Sequence, residues 1–96
     1  MWVNGARIRV SGQSYDLLYY LYARAGQVCT RRQLALAEEV LHVQQYDERD
    51  TSHVHRLNTA IRRLRERIEE DPGQPRYLHT EAGRGYRLVR QPEFPA

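Results

Sequence analysis

The chain contains no lysine, one cysteine and four prolines, and nowhere a long apolar run. A single Cys29 excludes an intrachain disulfide, so the fold must hold without a covalent staple and a reducing cytoplasm is the default expectation. No stretch approaches the roughly 20 apolar residues that span a bilayer, and the opening MWVNGARIRV lacks the apolar core of a signal peptide. No membrane role is expected. All 15 basic residues are therefore arginine, which reflects either use of the planar, bidentate guanidinium or the base composition of a genome. There is no internal repeat and no low-complexity tract.

What is present fits one small domain. Ninety-six residues give a single core with little room for an enclosed active-site cavity, and 41% hydrophobic against 28% charged residues suits a folded chain. The net charge of +3 is unevenly spread. Residues 1–50 balance six arginines against six carboxylates, whereas residues 51–96 hold nine against six. From Ser52 to Arg65 there are four arginines and no carboxylate, a local positive field that attracts a polyanion.

That field coincides with a periodic segment, HRLNTAIRRLRERIEEDP. Leu57, Ile61, Leu64 and Ile68 recur at helical spacing, and at about 100° per residue they form one buried stripe. Thr59 and Arg63 then lie near the centre of the outer face, flanked by Arg56 and Arg62, with Glu66 one turn on. Asp50, Thr51 and Ser52 are competent caps, so the spacing predicts a helix from about Ser52 to Glu70, stopped by Asp71-Pro72-Gly73. Four apolar positions are too few for a coiled coil.

Ahead of this segment, Trp2-Val3, Asn4-Gly5 and the alternating Ala6 to Val10 read as a short hairpin, since Asn-Gly supports a tight two-residue turn. Ser11 is a candidate cap for a first helix in which Tyr15, Leu18, Tyr19 and Tyr22 recur at helical spacing, widened by Leu17 and Leu21 and ended by Gly26. Aromatic residues so spaced are expected to pack in the core. Val28-Cys29 reads as an extended link. Thr30-Arg31-Arg32-Gln33 has the form of a capping box, opening a second helix through Leu34, Ala37, Val40 and Leu41. After the third helix, residues 76–80 and 86–89 flank the tip Glu81-Ala82-Gly83-Arg84-Gly85, a second hairpin. QPEFPA carries no periodicity and reads as a flexible tail over residues 91–96, leaving residues 1–90 as the domain.

Strand, three helices and a terminal hairpin define an α+β chain. A short capped helix before a longer arginine-faced one fits a winged helix-turn-helix, in which the second of the pair enters the major groove of double-stranded DNA and the hairpin is the wing. The sequence resembles the winged-helix effector domains of bacterial two-component response regulators of the OmpR/PhoB type. GARIRVSGQSYDLLYYLYARAGQVCTRRQLA is similar to that family's opening strand, first helix and step into the second. AIRRLRERIEEDPGQPRYLHTEAGRGYRL is similar to its arginine-rich helix and wing, with Leu64-Arg65, Gly83, Gly85 and Tyr86 in register.

The resemblance implies sequence-specific DNA binding in transcription regulation, and roles for single residues. Thr59 and Arg63 would reach base edges, where arginine pairs with guanine. Arg62 and Arg65 would neighbour the phosphate backbone, and Arg56, flanking the outer face, is a further candidate DNA contact. Thr80 and Tyr86 would contact sugar-phosphate from the wing and its base, and Thr30 and Arg31 would offer backbone N–H groups and charge to another phosphate. A tandem homodimer on direct repeats and a contact with RNA polymerase also follow from the family. Three departures stand out. Ala82 occupies the place where the family has an arginine, and Arg84 is positioned to substitute as a minor-groove probe. The stretch including His42 to Ser52 is several residues longer, which bears on the polymerase contact made there. The N-terminal sheet is shorter and no receiver domain precedes it, so the chain reads either as an excised piece or as part of a longer protein.

Other chemistries find little support. His53 and His55 point to different sides of a helix, with His42, His79 and Cys29 scattered, so no metal or other cofactor is expected. Cys29 has no histidine near it in sequence, Gly83-Arg84-Gly85 lacks the strand-to-helix context of a dinucleotide fingerprint, and Glu69-Glu70 falls at a fraying helix end, so no enzyme activity is expected. The alternative to DNA binding is a protein-interaction module whose arginine ridge docks an acidic partner.

Overall fold

The computed structural model describes residues 2–3, 6–7, 12–38, 40–47 and 49–89. Ser11 as a cap, the ends of the first hairpin and the tail over residues 91–96 lie outside them. The chain opens with a hairpin of β1 (Trp2–Val3) and β2 (Ala6–Arg7), paired antiparallel; the Asn4-Gly5 turn read between them lies outside the described residues. Next come α1 (Gly12–Ala23), β3 (Val28–Thr30), α2 (Arg31–Leu36), α3 (Thr51–Ile68), β4 (Leu78–Glu81) and β5 (Gly85–Leu88).

The wing is more than a hairpin. β5 lies at the centre of a three-stranded antiparallel sheet in the order β3-β5-β4, with Cys29 opposite Tyr86 and Thr80 opposite Tyr86 on the other side. The segment read as an extended link is therefore the third strand. It joins the wing to the N-terminus of α2. Gly85 lets this happen: its φ is +151°, and a Cβ there would collide with the Cys29 carbonyl oxygen.

One core unites the helices and the sheet. Leu17, Leu18 and Leu21 of α1, Leu34 and Ala35 of α2, Leu57, Ile61, Leu64 and Ile68 of α3, and Leu78 and Leu88 of the sheet are all buried. The stripe read in α3 is thus its buried face. In α1 the reading needs correction. Tyr15, Tyr19 and Tyr22 are 49%, 64% and 43% exposed, and Tyr20 is buried in their place. The leucines at 17, 18 and 21 outcompete the tyrosines because a helix 12 residues long has one inward arc, and Leu17-Leu18-Leu21 centre it on the side away from the aromatic stripe.

Two helix ends also differ from expectation. α2 opens with the full capping box, Thr30 Oγ1 accepting from Gln33 N at 3.0 Å and Gln33 Oε1 from Thr30 N at 2.8 Å. It stops at Leu36, because Ala37 turns to extended backbone (ψ 128°). Val40 and Leu41 do enter the core, but from a turn in which the N–H groups of Val40 and His42 both reach the Ala37 carbonyl. His42 takes a positive φ of 51°. α3 is capped by Asp50, whose carboxylate accepts from Ser52 N at 3.0 Å and Ser52 Oγ at 2.6 Å; these bonds hold it below the usual carboxylate range. The helix ends at Ile68, ahead of Asp71-Pro72-Gly73.

The reason lies in Glu69. Its side chain is 7% exposed rather than frayed, and it accepts from the backbone N–H groups of Arg76, Tyr77 and Leu78 at 2.8 to 3.2 Å. Three donors that lead into and open β4 need an acceptor, and a carboxylate just past the end of α3 supplies it.

Candidate nucleic-acid interface

The outer face of α3 is where the sequence placed it. Arg56, Arg62 and Arg63 are exposed, and Thr59 is half-buried between them. Thr59, Arg56 and Arg63 line an open hollow of about 330 Å³ with His55, Leu41 and Gln13 of α1. A second hollow, about 460 Å³, lies on the other flank of Arg63, lined by Ser14, Glu66 and Arg67. Arg62 Nε stands 3.8 Å from Glu66 Oε1, a surface pair one turn apart. Arg56 Nη2 donates to the Leu41 carbonyl oxygen at 3.4 Å, which leans this arginine toward the turn between α2 and α3.

Arg65 is placed differently from its neighbours. Its Nε and Nη2 donate to the Leu78 carbonyl oxygen at 3.1 and 2.8 Å, and Nη2 also to Thr80 Oγ1 at 2.8 Å. Two residues expected on phosphates thus bond to each other and lock the helix to the wing. Tyr86 makes a second lock. Its ring is 4% exposed and its hydroxyl donates to Asn58 Oδ1 at 3.0 Å. With Glu69 holding the strand ahead, α3 and the wing share three ties.

At the wing tip Arg84 is fully outward, between Gly83 at φ +72° and Gly85, and its N–H closes the turn onto the Glu81 carbonyl oxygen at 2.9 Å. Glu81 itself is turned along the strand to Arg87, whose Nε donates to its carboxylate at 2.7 Å. The Arg87 guanidinium, aided by Arg84 and His79, holds Glu81 below the usual carboxylate range. The one carboxylate beside the tip is thereby paired with Arg87, and the exposed Arg84 faces outward.

Thr30 and Arg31 sit where β3 meets α2, beside the wing. The capping box occupies the N–H of Thr30 and of Gln33, so the N–H groups of the first turn left for a ligand are those within it, and the Arg31 guanidinium lies 6.0 Å from the Tyr86 ring centre. The thiol of Cys29, next in the strand, is buried, and burial pushes its pKa up, against a smaller opposite pull from Arg24. A thiol so placed is a packing group. Among the described residues no group of histidines, cysteines and carboxylates is arranged to hold a metal ion, and no helix is long and apolar enough to cross a membrane.

Sequence reasoning missed His55, Gln13, Ser14 and Arg67. His55 had a signal, since it precedes Thr59 by one turn and so shares its face. Gln13 and Ser14 had none, because only the packing of α1 across α3 brings them to this surface.

A helix-turn-helix whose second helix is fastened to a three-stranded wing, with arginines outward on both, defines a winged-helix domain of α+β class. Residues 5–88 match the family described as "Transcriptional regulatory protein, C terminal", and the chain belongs to it. It is 40% identical over 86 residues, 90% of its length, to the sensory transduction protein RegX3 of Mycolicibacterium smegmatis. It is 36% identical over 91 residues, 95% of its length, to the transcriptional regulatory protein YvrH of Bacillus subtilis. In each case it spans 35% of the relative, about a third of the curated proteins it matches. Among solved structures, the DNA-binding domain of RstA from Klebsiella pneumoniae, in complex with the RstA box, aligns over 88% of this chain and 78% of its own, at TM-score 0.72 and 28% identity. The response regulator DrrB of Thermotoga maritima, an OmpR/PhoB homologue, aligns over 90% and 36% at TM-score 0.68 and 30% identity.

Proposed function

We propose that this domain is a sequence-specific reader of double-stranded DNA and the effector part of a bacterial transcriptional regulator. α3 enters the major groove, with Thr59 and Arg63 at base edges and Arg56 and Arg62 beside phosphates. Arg84 at the wing tip reaches the flanking backbone or minor groove. The observation that carries this reading is the fastening of wing to helix by Arg65. Two cationic projections held at fixed separation suit a duplex, whose grooves and phosphates recur at fixed spacing. Arg65, Thr80 and Tyr86 then act by setting that separation, and Thr30 and Arg31 by placing the start of α2 beside a phosphate.

Family membership and the RstA complex support the same reading. A role in the cytoplasm, a regulatory and non-catalytic one, accords with it, as does binding as a tandem pair on direct repeats. The longer stretch including His42 to Ser52, whose Val43 and Tyr46 pack against the core, is where a polymerase contact would fall. Docking of an acidic protein onto the ridge is the competing reading. It gives Arg84 no particular use.

Selection of random duplexes on the purified domain at near-physiological salt tests the proposal. The expected result is an enriched motif, repeated at about one helical turn where two copies bind. Retention without enrichment, or none, would overturn it.

A further inference from the structure

On the reading face, one residue has the wrong sign. Glu66 is the single carboxylate in Thr51–Ile68, and it lies outward one turn beyond Arg62 and Arg63, sharing a hollow with Arg63, Arg67 and Ser14. Toward a phosphate it is repelled. The helix does not explain it either, since Glu66 sits in the last turn of α3, where the backbone dipole disfavours an anion and where Arg65 and Arg67 supply the favoured sign. Its pairing with Arg62 is long at 3.8 Å, with the two side chains 70% and 58% exposed. An exposed pair of this kind adds little to stability, and the order arginine before glutamate is the weaker one along a helix.

On this face, provided that α3 does read DNA, the partner that suits a carboxylate is a base amino group. The major-groove edge of cytosine offers one from N4 with no acceptor beside it. Adenine offers one from N6 next to the N7 acceptor, which opposes a carboxylate. We propose that Glu66 is a specificity-determining residue that accepts a hydrogen bond from cytosine N4, next to the guanine read by Arg63. Three residues of helix advance about 4.5 Å, close to one base step of about 3.4 Å, so the two side chains address neighbouring base pairs. Arg62, drawn toward Glu66, is steadied on the backbone side.

The test is the same duplex selection run in parallel on the unaltered domain, Glu66→Ala and Glu66→Gln, with a thermal melt of each. Glu66 is exposed, so all three should melt alike. The unaltered domain should favour cytosine about tenfold at one position adjacent to a guanine. Glu66→Ala should lose that preference while keeping the rest of the motif and binding random duplex more tightly, and Glu66→Gln should turn the preference to adenine, whose N6 and N7 an amide matches. An unchanged motif in Glu66→Ala overturns the inference and leaves the DNA reading standing. Enrichment of nothing by the unaltered domain overturns both.

Discussion

α1 and α3 pack against each other through leucines, yet their outward faces differ in kind. α1 presents Tyr15, Tyr19 and Tyr22, the first two stacked at 6.4 Å, and its one charge is Asp16. α3 presents Arg56, Arg62, Arg63 and a lone carboxylate. The same core therefore supports one face built of rings and another built of guanidinium groups. What separates them is the kind of partnership inside the molecule: α3 is tied to the wing by hydrogen bonds through Arg65, Asn58 and the carboxylate that follows it, whereas α1 packs against the central strand β5.

The comparison can be broken first at burial. Leu64→Ala empties a fully buried site in α3 and should cost about 2–5 kcal/mol in urea unfolding, against at most about 0.5 kcal/mol for Tyr19→Ala. Equal losses would show that the tyrosine stripe is core after all. Next is the tie between helix and wing. Glu69→Ala leaves three backbone donors short of an acceptor and should cost roughly 3 kcal/mol, with amide exchange rising across residues 76–78 before it rises in α1. Uniform loosening of both regions would contradict a local tie.

Smaller effects sharpen the functional side. Arg63→Ala should weaken binding to the selected duplex by about 1–3 kcal/mol and relax one base position, whereas Tyr15→Ala on the other helix should leave affinity unchanged. If both substitutions weaken it equally, α3 is not the reading element. Least of all is the acid response of the wing. Glu81 has its pKa lowered by Arg87, so the pair stabilises the fold above the usual carboxylate range and that contribution fades as pH falls through it. Glu81→Gln should lower the stability slightly at neutral pH and leave the acid end unchanged, so that the acid limb of the curve is flatter, as a pH series of urea midpoints would record.

Legibility in the sequence followed contrast. In α3 the apolar residues are sparse and strictly spaced among charges, so stripe, outer face and candidate contacts could be read directly, and Asp50 and Thr30 announced their helices by short-range chemistry. In α1 nearly every residue from Tyr15 to Tyr22 is leucine or tyrosine, so periodicity offered two overlapping stripes and spacing alone could not choose between them. The end of α2 was hidden for another reason: Val40 and Leu41 keep helical spacing yet reach the core from a turn. The double role of Arg65 and the burial of Glu69 depend on strands that lie 9 to 15 residues away, a distance that no local pattern reports.

The pairing of β3 with β5 bears on how the chain is made. Residues 28–30 find their partners only at 85–87, so α2, the long turn and α3 are all enclosed by one closure between distant segments. During synthesis the helices emerge early, but the sheet that fixes them waits for the last strand to leave the ribosome. A chain released before Gly85 lacks the central strand of its sheet and leaves β3 and β4 without their pairing partner. Interrupted translation products should therefore be targets for proteases rather than partial regulators, and the domain is delivered to the cell whole or not at all.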